Sequence, residues 1–418
     1  MLNVLCLMFL KHDTLHKKYE HSLVSIYSIS NTMKIAHIIT RLIIGGAQEN
    51  TFFTIKGLIN KGYEVDLISG PTYGPEGSLE EEVKKEKIKL IIIKQLVREI
   101  NPFFDIISFF KLFFLFKRKK YDIIHTHSAK AGILGRIAGK ISNPNCVVIH
   151  TIHGPSFHPY QSFFLNFLYV LSEKIAEKFT DHFICVGEVM KNHYLKAGIG
   201  KEKKYSVIYS GFSLNPYFKC EKEKTNIKEK LGIKKEEKVI GMIGRLFPLK
   251  GQDYLLQSFI SILKEYPDVK LLLVGDGILR EKLEEYAKEK GIFEKVIFLG
   301  LVPPENIPLY VSIMDILVHT SLREGLPKAV AQGFAGGKPV VSFDIDGARE
   351  LVIDGETGFL VPPKNISILT EKLIFLLKNS DIACKMGSIG RERVKKLFPV
   401  EKMVDEIEKL YIKNIKKN

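Results

Sequence analysis

From Met33 onward, short apolar segments alternate with longer stretches that carry the mixed polar and apolar pattern of helices. The apolar segments include MKIAHIIT, YDIIHTH and CVVIHTIHG in the first half of the chain, and KVIGMIGRL, VKLLLVGDG and KPVVSFD in the second half. Segments this short that are hydrophobic throughout are typical of strands buried on both faces of a parallel sheet. The pattern therefore predicts an α/β protein.

One lysine-rich stretch, KCEKEKTNIKEKLGIKKEEK, interrupts this alternation. The two βα series on either side of it predict two doubly wound Rossmann-like domains that face a deep cleft. We expect an N-terminal domain over 33–218, a charged connector over 219–237 and a C-terminal domain over 238–398. A final helix over 399–418 is expected to pack back toward the N-terminal domain.

Residues 1–32 precede the first predicted strand and do not continue the pattern. MLNVLCLMFL is apolar, but no basic residue precedes it and no small-residue cleavage site follows it. It is therefore a poor signal peptide, and it is too short to span a membrane. We expect residues 1–32 to be an extension outside the fold, either disordered or the product of an upstream start.

The chain is basic, with 62 Lys and Arg against 47 Asp and Glu and a net charge of +15. This excess suits nucleic acid, anionic lipid or phosphorylated small molecules, and it equally fits lysines scattered over solvated surfaces. No arginine-rich run, zinc-ligand spacing or RNA-binding signature supports a nucleic acid partner. The five cysteines are far apart without a CxxC pair, which predicts a reduced cytoplasmic protein without disulfides.

The segment NPFFDIISFFKLFFLFKRKK, from Asn101 to Lys120, combines many phenylalanines with a basic end. Its apolar part is too short to cross a bilayer. It is either a core helix or a peripheral anchor, with aromatic side chains in the membrane interface and Lys117 to Lys120 near anionic head groups. The sequence leaves both interpretations open.

Ligands bind at the carboxyl ends of the strands in an open parallel sheet, so the polar residues there are candidates for a site. After the first strand, Gly45 and Gly46 allow the backbone to approach a ligand closely, although the loop is not GxGxxG. His125 and His127 alternate on one strand and face the same side. No third ligand follows at a suitable spacing, and we predict no metal. His153 precedes a Gly-Pro turn, as a loop residue or as a hydrogen-bond donor to a substrate.

The second domain adds cations and a carboxylate at corresponding strand ends. Arg245 ends one strand and Lys250 lies at the start of the following helix, an arrangement that would hold a diphosphate opposite the Gly-Gly loop. In REGLPKAVAQ, Glu324 follows another strand, and the turn that contains Pro327 precedes a helix whose backbone N–H groups suit a phosphate. We interpret the later sequence DID as a turn and helix start rather than a metal site.

Together these segments resemble glycosyltransferase family 4, a large family of retaining enzymes with the GT-B fold. The resemblance covers nearly all of the chain from Met33 and is carried by GGAQ, HTHSAKAGILGR, GRLFPLKG, REGLPKAVAQ and GARELV in that order. It implies that the C-terminal domain binds the nucleotide sugar. Arg245 and Lys250 would bind the diphosphate, and Glu324 would hold the sugar hydroxyls. Sugar and phosphate would be supported by the backbone of Gly325, Leu326, Pro327 and Lys328.

The resemblance places the acceptor side in the N-terminal domain. Gly45 and Gly46 would approach the acceptor or the donor phosphate, and His153 would contact the donor sugar near its reacting carbon. His127 would complete the substrate site. One departure concerns Gln332, where the family has a second glutamate that accepts hydrogen bonds from the ribose hydroxyls. The glutamine carbonyl oxygen still accepts, but without charge, so we expect nucleotide binding to persist with lower affinity.

The expected activity is transfer of a hexose-type sugar, with retention, from a UDP- or GDP-linked donor to a hydroxyl of a lipid-linked or cell-envelope glycan. The expected reaction requires no metal or other cofactor, and the protein would lie in the cytoplasm or on the inner face of the membrane. A nucleotide-sugar epimerase is an alternative, but it needs a second acid/base pair besides Glu324. A catalytically weak protein that binds sugar nucleotides or membrane surfaces is another alternative, motivated by Gln332 and the Phe-rich segment.

Overall fold

The computed structural model describes residues 33–73, 77–220, 224–345 and 347–416. The predicted extension, residues 1–32, and Asp346 of the DID segment lie outside these ranges. Within them, the chain forms two parallel sheets with helices packed on their faces. The prediction of an α/β protein with two doubly wound domains is therefore confirmed.

Seven parallel strands form the first sheet, in the order β3-β2-β1-β4-β5-β6-β7. They are β1 (Lys34–Ile39), β2 (Glu64–Ser69), β3 (Lys89–Ile92), β4 (Ile123–His127), β5 (Val147–Ile152), β6 (His182–Cys185) and β7 (Tyr205–Val207). Between them run α1 (Gly46–Asn60), α2 (Glu80–Lys85), α3 (Pro102–Lys119), α4 (Ala129–Ser142), α5 (Phe163–Glu177) and α6 (Glu188–Lys196). Every residue of the central strands β4 and β5 is buried, as expected for strands covered on both faces of a parallel sheet.

Two short helices occupy the lysine-rich stretch and the residues before it: α7 (Asn215–Lys219) and α8 (Lys224–Lys230). Tyr217 and Ile233 are buried in the core of the second domain. The ammonium group of Lys228 donates to the carbonyl oxygen of Glu237 at 2.6 Å. The stretch therefore packs against the second domain, while Lys219, Lys230, Lys234 and Lys235 remain exposed.

The second sheet has six parallel strands in the order β10-β9-β8-β11-β12-β13. They are β8 (Lys238–Ile243), β9 (Val269–Val274), β10 (Val296–Gly300), β11 (Ile316–His319), β12 (Val340–Phe343) and β13 (Gly358–Val361). Its helices are α9 (Gln252–Glu265), α10 (Arg280–Glu289), α11 (Ile307–Ile313), α12 (Lys328–Ala335), α13 (Ala348–Leu351), α14 (Ile366–Lys378) and α15 (Ser380–Leu397). In both sheets the next two strands in the chain are added on one side of the central strand (β1 or β8), and the later strands are added on its other side. The point where the direction reverses is where a ligand binds in folds of this type.

The last helix, α16 (Val400–Ile415), returns to the first domain and packs against α1. Its apolar face is part of the core beneath the first sheet, with Val404, Ile407 and Tyr411 fully buried or nearly so. The crossing is close, because a Cβ atom at Gly57 of α1 would collide with the side chain of Val404. None of the helices in the described part of the chain has the length and hydrophobicity needed to cross a membrane.

Candidate active site

The carboxyl ends of the two sheets face each other across a cavity of about 480 Å³. Residues from both domains line it, so a ligand there would be enclosed between them. The predicted site residues along its wall are Gly45, Gly46, His153, Arg245, Lys250, Glu324, Leu326, Pro327, Lys328 and Gln332. Two others, His127 and Gly325, are not among the lining residues and lie directly behind His153.

An ion pair between Lys250 and Glu324 lies at the centre of the cavity wall. Lys250 belongs to the loop between β8 and α9, and Glu324 follows β11. The hydroxyl of Ser321 donates to Glu324 Oε1 at 3.2 Å. Burial opposes ionisation of Glu324, but the charge of Lys250 and the imidazole of His319 outweigh it and hold the pKa of this carboxyl well below its usual range. Glu324 is therefore an ionised hydrogen-bond acceptor near neutral pH.

The loop that presents Lys250 depends on an unusual backbone conformation. Leu249 and Gly251 have φ angles of 69° and 79°, in the left-handed region that favours glycine. A Cβ atom at Gly251 would also collide with the carbonyl oxygen of Thr320. In this conformation the carbonyl oxygen of Leu249 accepts from the backbone N–H of Leu322 at 2.8 Å. The loop that carries Lys250 is therefore hydrogen-bonded to the segment that carries Glu324.

Arg245 extends the positive wall of the cavity. It follows β8, and its backbone oxygen accepts from the side-chain amide of Gln252 in the first turn of α9 at 2.9 Å. Its guanidinium lies 5.1 Å from the centre of the Phe247 ring, a cation–π contact that orients it. Arg245 and Lys250 thus lie in one cavity with the N-terminal end of α12, which carries a positive partial charge.

Helix α12 carries two further predicted residues. Lys328 forms an ion pair with Glu49 of the first domain. Gln332 lies one turn further along, is 7% exposed, and forms a hydrogen bond with Tyr217. The amide is therefore held at the edge of the cavity by a residue of α7.

Contacts between the domains bridge the cleft near the cavity. Arg323 donates to the carbonyl oxygen of Pro155. The Glu350 carboxylate accepts from the backbone N–H groups of Glu188 and Val189 at 2.9 and 2.8 Å, and so binds the positive N-terminal end of α6. Glu350 was not among the predicted site residues, because GARELV served only as one of the segments that carry the family resemblance. The structure adds that the first carboxylate of this helix reaches across the cleft.

A group of buried histidines lies behind His153. His37 of β1 is the register partner of His125 in β4, and ring nitrogens of His37, His125 and His127 lie within 4.8 Å of one another. His37 is the third side chain that the sequence analysis did not find, because the pairing of β1 with β4 joins residues far apart in the chain. Three imidazoles at this distance are a possible ligand set for a metal ion. In the structure, their ring nitrogens are hydrogen-bonded to one another and to neighbouring hydroxyls.

Burial keeps these histidines neutral. It lowers the pKa of His37 and His153 to about 3, and it lowers the pKa of His125 and His127 well below the usual value. By contrast, Asp344, the described aspartate of the DID segment, forms an ion pair with Arg349. Asp344 thus takes part in a salt bridge with the short helix that follows it.

Known proteins resemble the chain throughout this architecture. The family model described as Glycosyltransferase Family 4 matches residues 44–215, and the one described as Glycosyl transferases group 1 matches residues 223–393. The chain is 31% identical to UDP-Gal:alpha-D-GlcNAc-diphosphoundecaprenol alpha-1,3-galactosyltransferase of Escherichia coli, over 92% of this chain and 98% of that protein. It is 28% identical to the capsular polysaccharide biosynthesis glycosyltransferase CapM of Staphylococcus aureus, over 79% of this chain and 87% of that protein.

Among solved structures, Anabaena HepE in complex with UDP and glucose has a TM-score of 0.78 to this structure. The two chains are 22% identical, and the match covers 90% of this chain and 99% of HepE. At this level of identity the likeness concerns the fold. Together with the two facing parallel sheets, it confirms the predicted GT-B architecture.

Proposed function

Because the chain belongs to glycosyltransferase family 4, we propose that it transfers a hexose from a UDP-linked donor to a hydroxyl of a lipid-linked or cell-envelope glycan. One observation carries this proposal: Arg245, Lys250 and Glu324 come together in one cavity between the two domains. The names of the relatives support the finer details, since one is a UDP-Gal-dependent galactosyltransferase and another belongs to capsular polysaccharide biosynthesis. HepE, of the same fold, was solved with UDP and glucose.

The Lys250–Glu324 pair offers one group for each side of the bond that breaks in a nucleotide sugar. An ionised carboxylate accepts hydrogen bonds from sugar hydroxyls, and an ammonium group binds phosphate oxygens. Because the two groups touch, the sugar and phosphate that they bind must also be adjacent. The scissile bond between the anomeric carbon and the phosphate oxygen would then lie beside this pair.

Catalysis in this proposal rests on charge that is already in place. As the sugar–phosphate bond breaks, negative charge grows on the diphosphate, where Arg245, Lys250 and the N-terminal end of α12 stabilise it. These cations take the place that a metal ion has in other phosphate sites, and the reaction is proposed to need no metal or other cofactor. Closure of the two domains over a bound donor would keep water from the anomeric carbon and so limit hydrolysis.

Retention is proposed to follow from attack on the same face of the sugar. The acceptor oxygen forms the new bond to the anomeric carbon as the diphosphate departs, and the acceptor proton moves to the departing phosphate oxygen. Glu324 is unsuited to be a proton donor, because its pKa lies well below the usual range. This also disfavours an epimerase, in which Glu324 would have to take part in acid/base exchange.

The test of the donor site is calorimetric titration of the full chain with UDP and GDP in the presence of EDTA. We expect UDP to bind and GDP to bind more weakly or not at all. Gln332→Glu restores a charged acceptor for the ribose hydroxyls and should tighten UDP binding about tenfold, the scale of a charge-assisted hydrogen bond. Gln95→Glu, which adds the same charge where Gln95 contacts Lys111, is the control and should leave binding unchanged.

The proposal for the donor site fails if neither nucleotide binds, or if binding requires a divalent metal. If the Gln332→Glu variant and the wild type bind UDP with equal affinity, Gln332 does not contact the ribose. The contacts to the diphosphate would then be tested separately. Product analysis without an acceptor then separates transfer from epimerisation, because an epimerase needs no acceptor.

The acceptor side is proposed to lie near an anionic membrane on the inner face, reached through α3. This helix exposes Phe103, Phe110 and Phe114, of which Phe103 is 69% and Phe114 62% exposed. These side chains share one face of the helix, and the last turn carries Lys117 and Arg118. Exposed aromatic residues beside a basic cluster are typical of peripheral membrane contact. A membrane-bound position would bring the cavity to lipid-linked acceptors.

A further inference from the structure

A continuous line of hydrogen bonds leads from His153 in the cavity into the core of the first domain. His153 Nε2 lies 3.0 Å from His127 Nδ1, and His127 Nε2 lies 2.9 Å from His37 Nδ1. His37 Nε2 lies 3.2 Å from the hydroxyl of Tyr411, which α16 contributes. His127 and His37 each use both ring nitrogens, so the four side chains form a single file that ends at His153.

The file continues beyond Tyr411. The same hydroxyl lies 2.5 Å from His125 Nδ1, and His125 Nε2 lies 2.6 Å from the hydroxyl of Thr151. His37, His125, His127 and Tyr411 have no exposed surface. Water therefore cannot replace any of these bonds, and a donor or acceptor that lost its partner would stay unpaired at a cost in stability.

The proton positions along such a file are linked. A neutral imidazole has one N–H and one bare nitrogen, so a histidine that accepts on one side must donate on the other. A phenol has one O–H, so Tyr411 donates to one of its two histidines and accepts from the other. Only two arrangements satisfy every bond, one with all four histidines protonated at Nε2 and one with all four protonated at Nδ1.

The distances at Tyr411 distinguish the two arrangements. A hydroxyl donor gives shorter bonds than an N–H donor, and the contact with His125 Nδ1 is 0.7 Å shorter than the contact with His37 Nε2 (3.2 against 2.5 Å). These distances favour the arrangement in which Tyr411 donates to His125 and accepts from His37. It follows that His37 and His127 are protonated at Nε2, and that His153 donates from Nε2 to His127.

We propose that Tyr411 is a positioning residue that, through His37 and His127, keeps the Nδ1 atom of His153 bare. That nitrogen is the one left to accept a hydrogen bond from a hydroxyl in the cavity that His153 lines. The functional part rests on the proposed glycosyl transfer, in which the sugar and the acceptor supply such hydroxyls. The structural part concerns the protein alone.

The direct test is ¹⁵N NMR of the full chain labelled at the histidine rings, since bare and protonated ring nitrogens resonate at well-separated frequencies. The His153 signal is assigned by its loss in His153→Gln. In the wild type we expect His153 to be protonated at Nε2. In Tyr411→Phe, His37 Nε2 faces an apolar ring, and an unpaired bare nitrogen is tolerated better there than an unpaired N–H. The file should therefore reverse, and His153 should become protonated at Nδ1.

Tyr205→Phe is the matched control. It also removes a buried hydroxyl from the first domain, one that donates to the carbonyl oxygen of Ile199 at 2.7 Å, but it lies outside the file. Both variants should lose thermal stability, whereas only Tyr411→Phe should change His153. For the transfer reaction, Tyr411→Phe should lower kcat/KM for the UDP-sugar about three- to tenfold, the scale of one hydrogen bond, while the Kd for UDP alone stays unchanged.

The proposal is overturned if His153 is protonated at Nδ1 in the wild type, or if its proton stays at Nε2 in Tyr411→Phe. Stoichiometric zinc in the purified protein, measured by elemental analysis, would also overturn it, because metal-bound nitrogens cannot form this file. A reversal seen by NMR in a protein that turns over no UDP-sugar would support the role of Tyr411 and count against the proposed function instead.

Discussion

At the scale of single residues, the site is defined by charges that are paired before any ligand binds. Lys250 contacts Glu324, and Lys328 contacts Glu49 on the other side of the cleft. A cation that is already oriented needs little rearrangement to meet a charge that develops during a reaction. The wall of the cavity is therefore preorganised by its own acidic residues.

Lys250→Ala should lower the turnover of the UDP-sugar by about 100- to 1000-fold, because removal of one group that stabilises developing charge has this effect in other enzymes. Lys378→Ala is the control, since Lys378 also pairs with a glutamate, Glu265, at 2.9 Å, but on the surface of the second domain. Steady-state kinetics and thermal unfolding of both variants provide the measurement. A Lys250→Ala enzyme with normal turnover would exclude this lysine from the leaving-group site.

The residues of this site differ in how far the sequence predicts them. Arg245, Lys250 and Glu324 each follow a strand that its apolar sequence reveals, so the rule for strand ends places them at one edge of the sheet. His37 and Glu350 escaped prediction for a different reason. Their contacts depend on which strands are neighbours and on how the two domains meet, and neither is encoded in the local pattern.

At the scale of elements, α5 inverts the usual pattern of a surface helix. Its buried residues are Glu173 and Ala176, and Glu173 forms an ion pair with the buried Arg136 of α4 at 2.6 Å. Its outer face exposes Phe163, 88% accessible, together with Phe164 and Phe167. A helix with its charge inside and its aromatics outside leaves an apolar surface that water solvates poorly. Since α4 contacts both α3 and α5, it links the two aromatic faces.

The local sequence predicts that α3 exists but not which side it buries. Asn101 caps the helix by accepting from the backbone N–H of Phe104 at 3.1 Å, and Pro102 follows the cap. Both residue types are typical of helix starts, so the sequence predicts where α3 begins. The phenylalanines lie on all sides of the helix, so only the packing of α3 against the first domain decides which of them are buried. Phe116 is buried in the core of the first domain, whereas Phe110 and Phe114 face outward.

Replacement of Phe103, Phe110 and Phe114 by serine should weaken binding to vesicles that contain anionic lipid by about a hundredfold, since each aromatic ring withdraws apolar area from water on docking. The measurement is co-sedimentation with vesicles of phosphatidylglycerol and phosphatidylcholine at low and high salt. The control triple variant changes exposed apolar residues of the second domain to serine: Phe375, Ile382 and Ile389. Unchanged binding of the α3 variant, or equal loss in the control, would contradict a docking role for α3.

At the scale of the whole molecule, burial of neutral histidines links stability to pH. Five of them have a pKa lowered by burial: His37, His125, His127, His150 and His153. Their ordinary value is 6.5, and the pKa of His37 falls to about 3. Between these values the unfolded chain binds protons that the folded chain does not, so folding becomes less favourable as the pH falls.

The free energy of unfolding should therefore be constant above about pH 7 and should decrease from about pH 6.5 downward. The slope has an upper bound of about 1.4 kcal/mol per pH unit for each histidine. Urea titrations between pH 7.5 and 5 measure it, in a range where most carboxylates remain ionised. A free energy of unfolding that is the same at pH 7 and pH 5.5 would mean that the histidine file can be protonated in the folded protein.

The return of α16 to the first domain has a consequence for synthesis of the chain. Val404, Ile407 and Tyr411 complete a core whose strands are made roughly 200 to 370 residues earlier. During translation, the apolar groove beside α1 stays exposed until the entire second domain has emerged from the ribosome, because α16, which covers the groove, is made last. We expect chaperones to bind the exposed groove during this interval. We also expect them to bind a nascent chain stalled before residue 400 more strongly than the completed protein.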